Sequence, residues 1–264
     1  MTNSPKDYLS PQISSLPYFR GLLRAVEARF YEGIELPAPA LDLGCGDGHF
    51  ASLTFDRPLE VGIDPWWGPL LEAKKRAAYA ELAQTDGAWM PFPDGFFASA
   101  VSNSVLEHIP HVDDVLAEAA RVLRAGAPFI FCVPNHNFLS MLSIGRGLDK
   151  IGLRKLGDRY RAFFNKISRH HHCDPPEVWQ QRLKKAGFEM VRWWHYFSPA
   201  ALAVLEWGHY FGLPSWVSKA LTGRWILSPA RWNLGLTLRL VRRFYDEPAE
   251  HENGAYTFYI ARRL

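Results

Sequence analysis

Apolar residues fall along the chain in two rhythms. Short, largely apolar runs at PAPALDL (37–43), LEVGID (59–64), ELAQT (81–85), FFASAVSNSV (96–105) and APFIFCVPN (127–135) have the length of buried strands. Helical spacing separates them: from about Asp47 to Phe55, over GPLLEAKKRAAYA (68–80) with its lysines on one side, and over DDVLAEAARVLRAG (113–126). The last of these opens with acidic residues, carries arginines near its end and stops at glycine, as a helix dipole and a C-terminal stop require. Strand and helix thus alternate through the first half of the chain, which predicts a parallel sheet with helices on both faces.

The rhythm changes at both ends. Residues 1–17, with three prolines and several serines, predict an irregular arm, and 18–33 a helix through Leu22, Leu23, Val26 and Phe30 that ends at Gly33. Residues 138–170 are loosely helical. DPPEVWQQRLKKAGF (174–188) predicts a helix capped by Asp174 and ended by Gly187, EMVRWWHYF (189–197) a strand, 198–250 broken helices, and AYTFYIARRL (255–264) a closing strand. The expected architecture is α/β: a Rossmann-like, doubly wound, mostly parallel seven-stranded sheet. Residues 1–36 form an arm and helix before a domain of residues 37–264. The inserts 138–170 and 198–250 both follow strands and are expected to form a lid over the sheet's carboxyl edge.

One junction carries more than fold. In ALDLGCGDGHF (40–50) three glycines, Gly44, Gly46 and Gly48, fall within five positions between a strand and a helix start. Glycine is costly in regular structure, so the turn must need a close backbone approach. A dinucleotide site wants G-x-G-x-x-G, whose last position here is His49, which disfavours a nicotinamide oxidoreductase. The second strand ends in Asp64, placed to accept from the two hydroxyls of an unphosphorylated ribose.

The series Asp42, Gly44, Gly46, Gly48 resembles the first motif of class I S-adenosylmethionine-dependent methyltransferases of the small-molecule kind. TDGAWMPFPDGFFASAVSNSVLEHI (85–109), VLAEAARVLRAGAPFIFCVPN (115–135) and WQQRLKKAGFEM (179–190) resemble successive later blocks of that family. The resemblance implies S-adenosylmethionine as cofactor, S-adenosylhomocysteine as product, and a set of contacts. These are Asp42, Gly44, Cys45 and Gly46 at the turn, Asp64 and Pro65 at the second strand's tip, Asp86, Gly87 and Ala88 around the adenine, and Ser102 and Asn103 beside the methionine part. Asp42 is expected to orient the loop backbone rather than touch ligand. Two departures, FFASAV where the family has SFDLV and AGA (125–127) where it has PGG, fall on a strand and a turn.

The implied activity is methyl transfer, O- or C-, to a small apolar acceptor. The alternative is a protein that binds the cofactor without turnover and acts as a partner or regulator. Nucleic-acid methylation is not expected, since SNSVLEH stands where an Asn/Asp-Pro-Pro-aromatic signature would follow the fourth strand, and the net charge is only +3. For a general base, the run SRHHHCDPPE (168–177) offers His172 or His170, and His136 competes from beyond the fifth strand. His108 is a candidate pocket residue, and Glu107 is expected only to fix local geometry. No metal is expected from the histidine run, because adjacent histidines point apart and zinc prefers spaced pairs.

Charge is uneven: residues 146–169 hold eight Arg or Lys against two Asp. That is either a solvated helical face or a contact for an anionic group, a lipid headgroup surface or a phosphorylated substrate. Six of the ten tryptophans (193, 194, 207, 216, 225 and 232) lie late in the chain and suit the core of the second insert, an apolar cleft, or, over 198–243, a bilayer surface. Three scattered cysteines and the opening MTNSPKDYLSPQ lead us to expect no disulfide framework, no signal peptide and a cytoplasmic location, with peripheral membrane contact at most.

Overall fold

The computed structural model describes residues 6–264; the first five residues of the expected arm lie outside the described residues. Seven strands form one sheet: β1 (Ala40–Leu43), β2 (Leu59–Asp64), β3 (Tyr79–Gln84), β4 (Ser99–Asn103), β5 (Pro128–Pro134), β6 (Phe188–Tyr196) and β7 (Tyr256–Arg263). Their order is β3-β2-β1-β4-β5-β7-β6. The first five strands pair in parallel, and β7 enters antiparallel between β5 and β6. Seven mostly parallel strands with helices on both faces match the expected architecture.

Twelve helices surround the sheet among the described residues. The first five are α1 (Leu9–Ser15), α2 (Tyr18–Arg29), α3 (His49–Thr54), α4 (Trp67–Arg76) and α5 (Val112–Val122). Then come α6 (Asn137–Ser140), α7 (Ser143–Lys150), α8 (Arg154–Ser168) and α9 (Pro176–Ala186). The last three are α10 (Pro199–Phe211), α11 (Leu213–Thr222) and α12 (Arg231–Tyr245). A central parallel strand is buried on both faces, so β5 reads as an unbroken apolar run. Its Phe129, Phe131 and Val133 enter one core with Val115 and Leu116 of α5 and Trp179 and Leu183 of α9. Its Ile130 and Cys132 enter the opposite core with Leu22 of α2, Leu202 of α10 and Val241 of α12.

Sheet register decides where chemistry can gather. Asp42 pairs with Gly62 on one side and Val101 on the other, so the carboxyl ends of β1, β2 and β4 lie together. That edge is where open parallel sheets hold ligands.

The structure differs from the sequence reading in two places. Residues 9–15 form a helix, not an irregular arm, and Leu9, Gln12 and Ile13 are buried. Ile13 packs at Gly21 of α2, where an added Cβ would stand 3.1 Å from Ile13 Cγ1. Asp7 pairs with Arg242 of α12, and the Tyr8 N–H donates to the Tyr245 hydroxyl at 3.3 Å. Prolines and serines hide this helix, since its stability comes from docking rather than from local propensity. The second difference is Asp174, which does not cap α9: Pro175 is the cap residue, and Asp174 Oδ2 instead forms an ion pair with Arg182 Nη1 at 2.9 Å. Ser198, by contrast, caps α10 by accepting from the Ala201 N–H at 3.1 Å.

If α1 is part of the core, Leu9→Ala and Ile13→Ala should each lower unfolding free energy by about 2–4 kcal/mol in urea titrations, with an unchanged denaturant slope. An unaltered midpoint would mean that the segment is a dispensable arm.

Candidate active site

The glycine turn is built by three backbone constraints. The N–H groups of Gly44 and Cys45 both donate to the Ile63 carbonyl, each at 2.9 Å, which bends the chain sharply off β1. Gly44 sits at φ +80°, and a side chain there would run into Val105. Gly46 sits at φ +54° with nothing within 4 Å of where a Cβ would be, so its face is open. Such an open backbone face beside a buried carboxylate fits the amino-acid end and ribose of the cofactor that the sequence implies.

Asp64 is that carboxylate. Its Oδ2 accepts from the Gly46 N–H at 3.0 Å and its Oδ1 from the Trp66 N–H at 2.9 Å. Each oxygen keeps a further lone pair, enough for two ribose hydroxyls. Burial raises its pKa, against the two amide hydrogen bonds. Asp42 behaves differently from expectation: it accepts from the Tyr79 hydroxyl at 2.6 Å, and Asp64, not Asp42, holds the loop amide. Burial pushes Asp42 up to about 6.

A cavity of ≈ 640 Å³ opens over this turn and brings together Asp42, Gly44, Cys45, Gly46 and Asn103. Burial raises the Cys45 thiol's pKa, so this cysteine is a small packed side chain rather than a nucleophile. Pro65 is exposed at the β2 tip, and its carbonyl accepts from Gln84 Nε2. Asp86, Gly87 and Ala88 lie outside that cavity's lining; Asp86 accepts from the Ala88 N–H at 2.9 Å and keeps a largely exposed side chain. Ser102 corrects the sequence reading: it is fully buried, and its hydroxyl donates to the Leu43 carbonyl at 2.9 Å, tying β4 to β1 rather than facing a ligand.

A buried polar knot lies behind Asn103. Glu27 of α2 accepts from Arg24 Nη1 and Asn103 Nδ2, each at 2.7 Å, from the Tyr196 hydroxyl at 2.9 Å and from Ser104 Oγ at 3.1 Å. Cys132 Sγ donates in turn to Asn103 Oδ1. Ser104 takes φ +52°, a left-handed conformation held by this network. Sequence reasoning missed Glu27, which looks like any helix-surface acid in RAVEARF.

A second cavity, of ≈ 420 Å³, adjoins the first; both are lined by Arg20, Arg24, Ser104, His108 and Trp225. Its other walls are mostly apolar, with Phe19 and Leu23 of α2, Phe138, Leu205 and Tyr256, and its remaining polar groups include Glu107 and His170. Both inserts and α2 therefore wall it. Glu107, expected to be only structural, faces this cavity, and burial pushes its carboxyl up to about 8. Burial and the neighbouring His108 pull His170 down to about 3.

Two expected base positions fall elsewhere. His172 lines neither cavity: its Nε2 is 3.0 Å from the Ile109 carbonyl and its Nδ1 3.1 Å from Arg182 Nη1, so both ring nitrogens are engaged. His136 is exposed before α6, with its ring near His195, and lines neither cavity. The tryptophans also divide: Trp194 packs on Phe258, Trp225 lines both cavities, and Trp193, Trp207 and Trp232 are exposed; the side chain of Trp216 lies outside the described residues.

Residues 41–131, which carry the turn and β1 to β5, match the family model of the methyltransferase domain. That match falls on the motifs by which the chain resembles the class I S-adenosylmethionine-dependent methyltransferases. Over 106 residues it is 35% identical to a trans-aconitate 2-methyltransferase of Methylobacterium nodulans, across 38% of this chain and 40% of that protein. Over 184 residues it is 30% identical to the malonyl-[acyl-carrier protein] O-methyltransferase of Geobacter sulfurreducens, across 65% of this chain and 63% of that protein. The chain thus spans less than two thirds of either relative. The fold is similar to that of geranyl diphosphate C-methyltransferase from Streptomyces coelicolor A3(2), a structure that holds Mg2+ and S-adenosylhomocysteine. The TM-score is 0.55, with 12% identity over 94% of this chain and 84% of that one.

Asp42 holds its proton more readily folded than unfolded, so ionising it destabilises the native state as pH rises through about 4 towards about 6. Asp42→Asn keeps an acceptor for Tyr79 without the charge. Its stability advantage over the parent should widen by on the order of 2 kcal/mol between about pH 4.5 and about pH 7.5. Urea midpoints at the two pH values measure this, and a gap that narrows with rising pH would contradict it.

Proposed function

We propose that this chain transfers the methyl group of S-adenosylmethionine to a small acceptor with an apolar body, bound in the smaller cavity. The observation that carries this reading is the shared wall of Arg20, Arg24, Ser104, His108 and Trp225, which joins the glycine-turn cavity to a second, mostly apolar one. When bound, the cofactor supplies a methyl group on a positively charged sulfur. Gly46 would lie against it, Asp64 would hold the ribose hydroxyls, and Asn103, fixed by Glu27, would border the methionine part. Phe19, Leu23, Phe138 and Leu205 would exclude water and align the acceptor, and positioning supplies much of the rate in such transfers. Arg20 at the common wall suits an acceptor that also carries an acid group, as the names of both curated relatives imply for theirs.

Calorimetric titration with S-adenosylhomocysteine tests the cofactor half. Asp64→Asn should bind roughly 10- to 100-fold more weakly than the parent, the loss expected for charge-assisted hydrogen bonds. No heat with the parent would end the reading. Saturable binding with no methyl transfer to any member of an acid and isoprenoid panel favours the alternative, a cofactor-binding partner protein without turnover.

We further infer that α8 rests on an anionic bilayer surface, from which an apolar acceptor would enter. Ile151, Leu153, Leu156, Phe163 and Ile167 are exposed beside Arg154, Lys155, Arg159 and Lys166, the mixture of apolar and cationic side chains that suits an anionic interface. No helix among the described residues is long and apolar enough to cross a membrane. The chain should sediment with phosphatidylserine vesicles and not with phosphatidylcholine alone. Lys155→Glu with Arg159→Glu should weaken that binding by about tenfold or more, given roughly 1 kcal/mol per basic residue. Equal binding to both vesicles would refute the surface.

A further inference from the structure

We propose that Glu107, His108 and His170 form a site for one divalent transition-metal ion whose open coordination positions face the smaller cavity. The three side chains each offer one ligand atom, and these atoms lie within 4.8 Å of one another. All three line the cavity. The site itself stands on this geometry; only its role toward an acceptor rests on the methyl-transfer reading.

Three further observations support it. First, Glu107 is buried, yet its Oε2 has no hydrogen-bond partner. A buried carboxylate oxygen left bare is costly, and a cation resolves it. Second, His108 Nδ1 lies 3.0 Å from the Arg169 carbonyl, to which an N–H there donates, so Nε2 keeps its lone pair and lies 3.8 Å from Glu107 Oε1. An imidazole whose outer nitrogen donates to a carbonyl is the usual posture of a metal ligand. Third, the backbone holds the two segments together: the Glu107 carbonyl accepts from the N–H of His171 at 2.7 Å and of His172 at 3.2 Å. This brings the His170 ring to 5.3 Å from that of His108. His170 Nδ1 faces Cys173 Sγ at 3.7 Å, which leaves the ring its second nitrogen.

The donor set chooses the ion. Two imidazoles and one carboxylate favour Zn2+, Co2+, Fe2+ or Mn2+ over Mg2+ or Ca2+, which prefer oxygen ligands. Ligand bonds of about 2 Å require the three groups to draw in by about an ångström, within reach of side-chain rotation. Three ligands leave positions open, and these face the cavity, where an acceptor oxygen could complete the sphere. Arg24, a cation on the same wall, is paired with Glu27 at 2.7 Å.

The full chain, dialysed against a chelator, is titrated with Co2+ and followed by its visible absorption. Saturation at one ion per chain is expected, with competition by Zn2+ and little by Mg2+. His170→Asn and Glu107→Gln should each weaken Co2+ by more than about tenfold, the cost of losing even an outer-sphere partner. His172→Asn should leave it unchanged. Each variant is also titrated with S-adenosylhomocysteine: retained heat shows the fold intact, and the near-isosteric Glu107→Gln decides if His170→Asn unfolds. Absent saturation, or Co2+ binding equal in His170→Asn and parent, overturns the site. Co2+ saturation without S-adenosylhomocysteine heat would keep the metal site and remove the methyl-transfer reading instead.

Discussion

Glu27 is a carboxylate with no exposure to solvent, seated on a helix that precedes the sheet in sequence, and four groups donate to it. The four donors come from three parts of the fold. Arg24 faces both cavities, Asn103 and Ser104 end β4, and Tyr196 ends β6. A buried charge is tolerable only when its partners hold good geometry, and removing one partner typically costs about 3–5 kcal/mol. The same network surrounds Ser104 in its left-handed conformation and ties the side chain of Asn103, which lines the glycine-turn cavity, to Glu27. The carboxyl edge of the sheet is therefore rigid because an acid from outside the sheet locks it.

From that lock the division of labour follows. The glycine-turn end of the cleft is shaped by backbone: the Gly44–Gly46 bend, two amides on the Ile63 carbonyl, and one on Asp64. Backbone groups cannot be exchanged by substitution, so this half suits one fixed ligand. The other end is made of side chains from α2, the 138–170 insert and the segment 198–250. Those elements pack on one another, α10 and α12 against α2 and α7 against α8, more than on the sheet. The cap can change its cavity lining while the turn stays as it is.

Much of the framework is legible in the chain as letters. Continuous apolar runs announce the central strands because burial on both faces leaves no alternation to confuse them. The turn and Asp64 are legible because only glycine takes positive φ cheaply, and only a carboxylate at a strand tip accepts from two hydroxyls. Elsewhere the signal is absent for physical reasons. Glu27 satisfies partners up to 169 residues away, and no local pattern encodes such a pairing. The α1 helix has poor propensity and forms because Leu9 and Ile13 find a core. His172 looked available because sequence does not reveal that Ile109 and Arg182 occupy its two nitrogens.

The histidine run illustrates the limit most sharply. Within SRHHHCD the three imidazoles diverge, and reading that run by itself gives no ligand set. The set appears only when the LEH turn after β4 is laid beside it, and the Glu107 carbonyl does that by accepting two amides from the run. One residue thus acts twice: its backbone docks the insert, and its side chain, with one oxygen unpartnered, lines the cavity the insert encloses. The groups that close the smaller cavity and the polar groups that line it are therefore not separable. An insert that failed to dock would open the cavity and scatter the donors together, so exclusion of water and assembly of the polar cluster are one event in this fold.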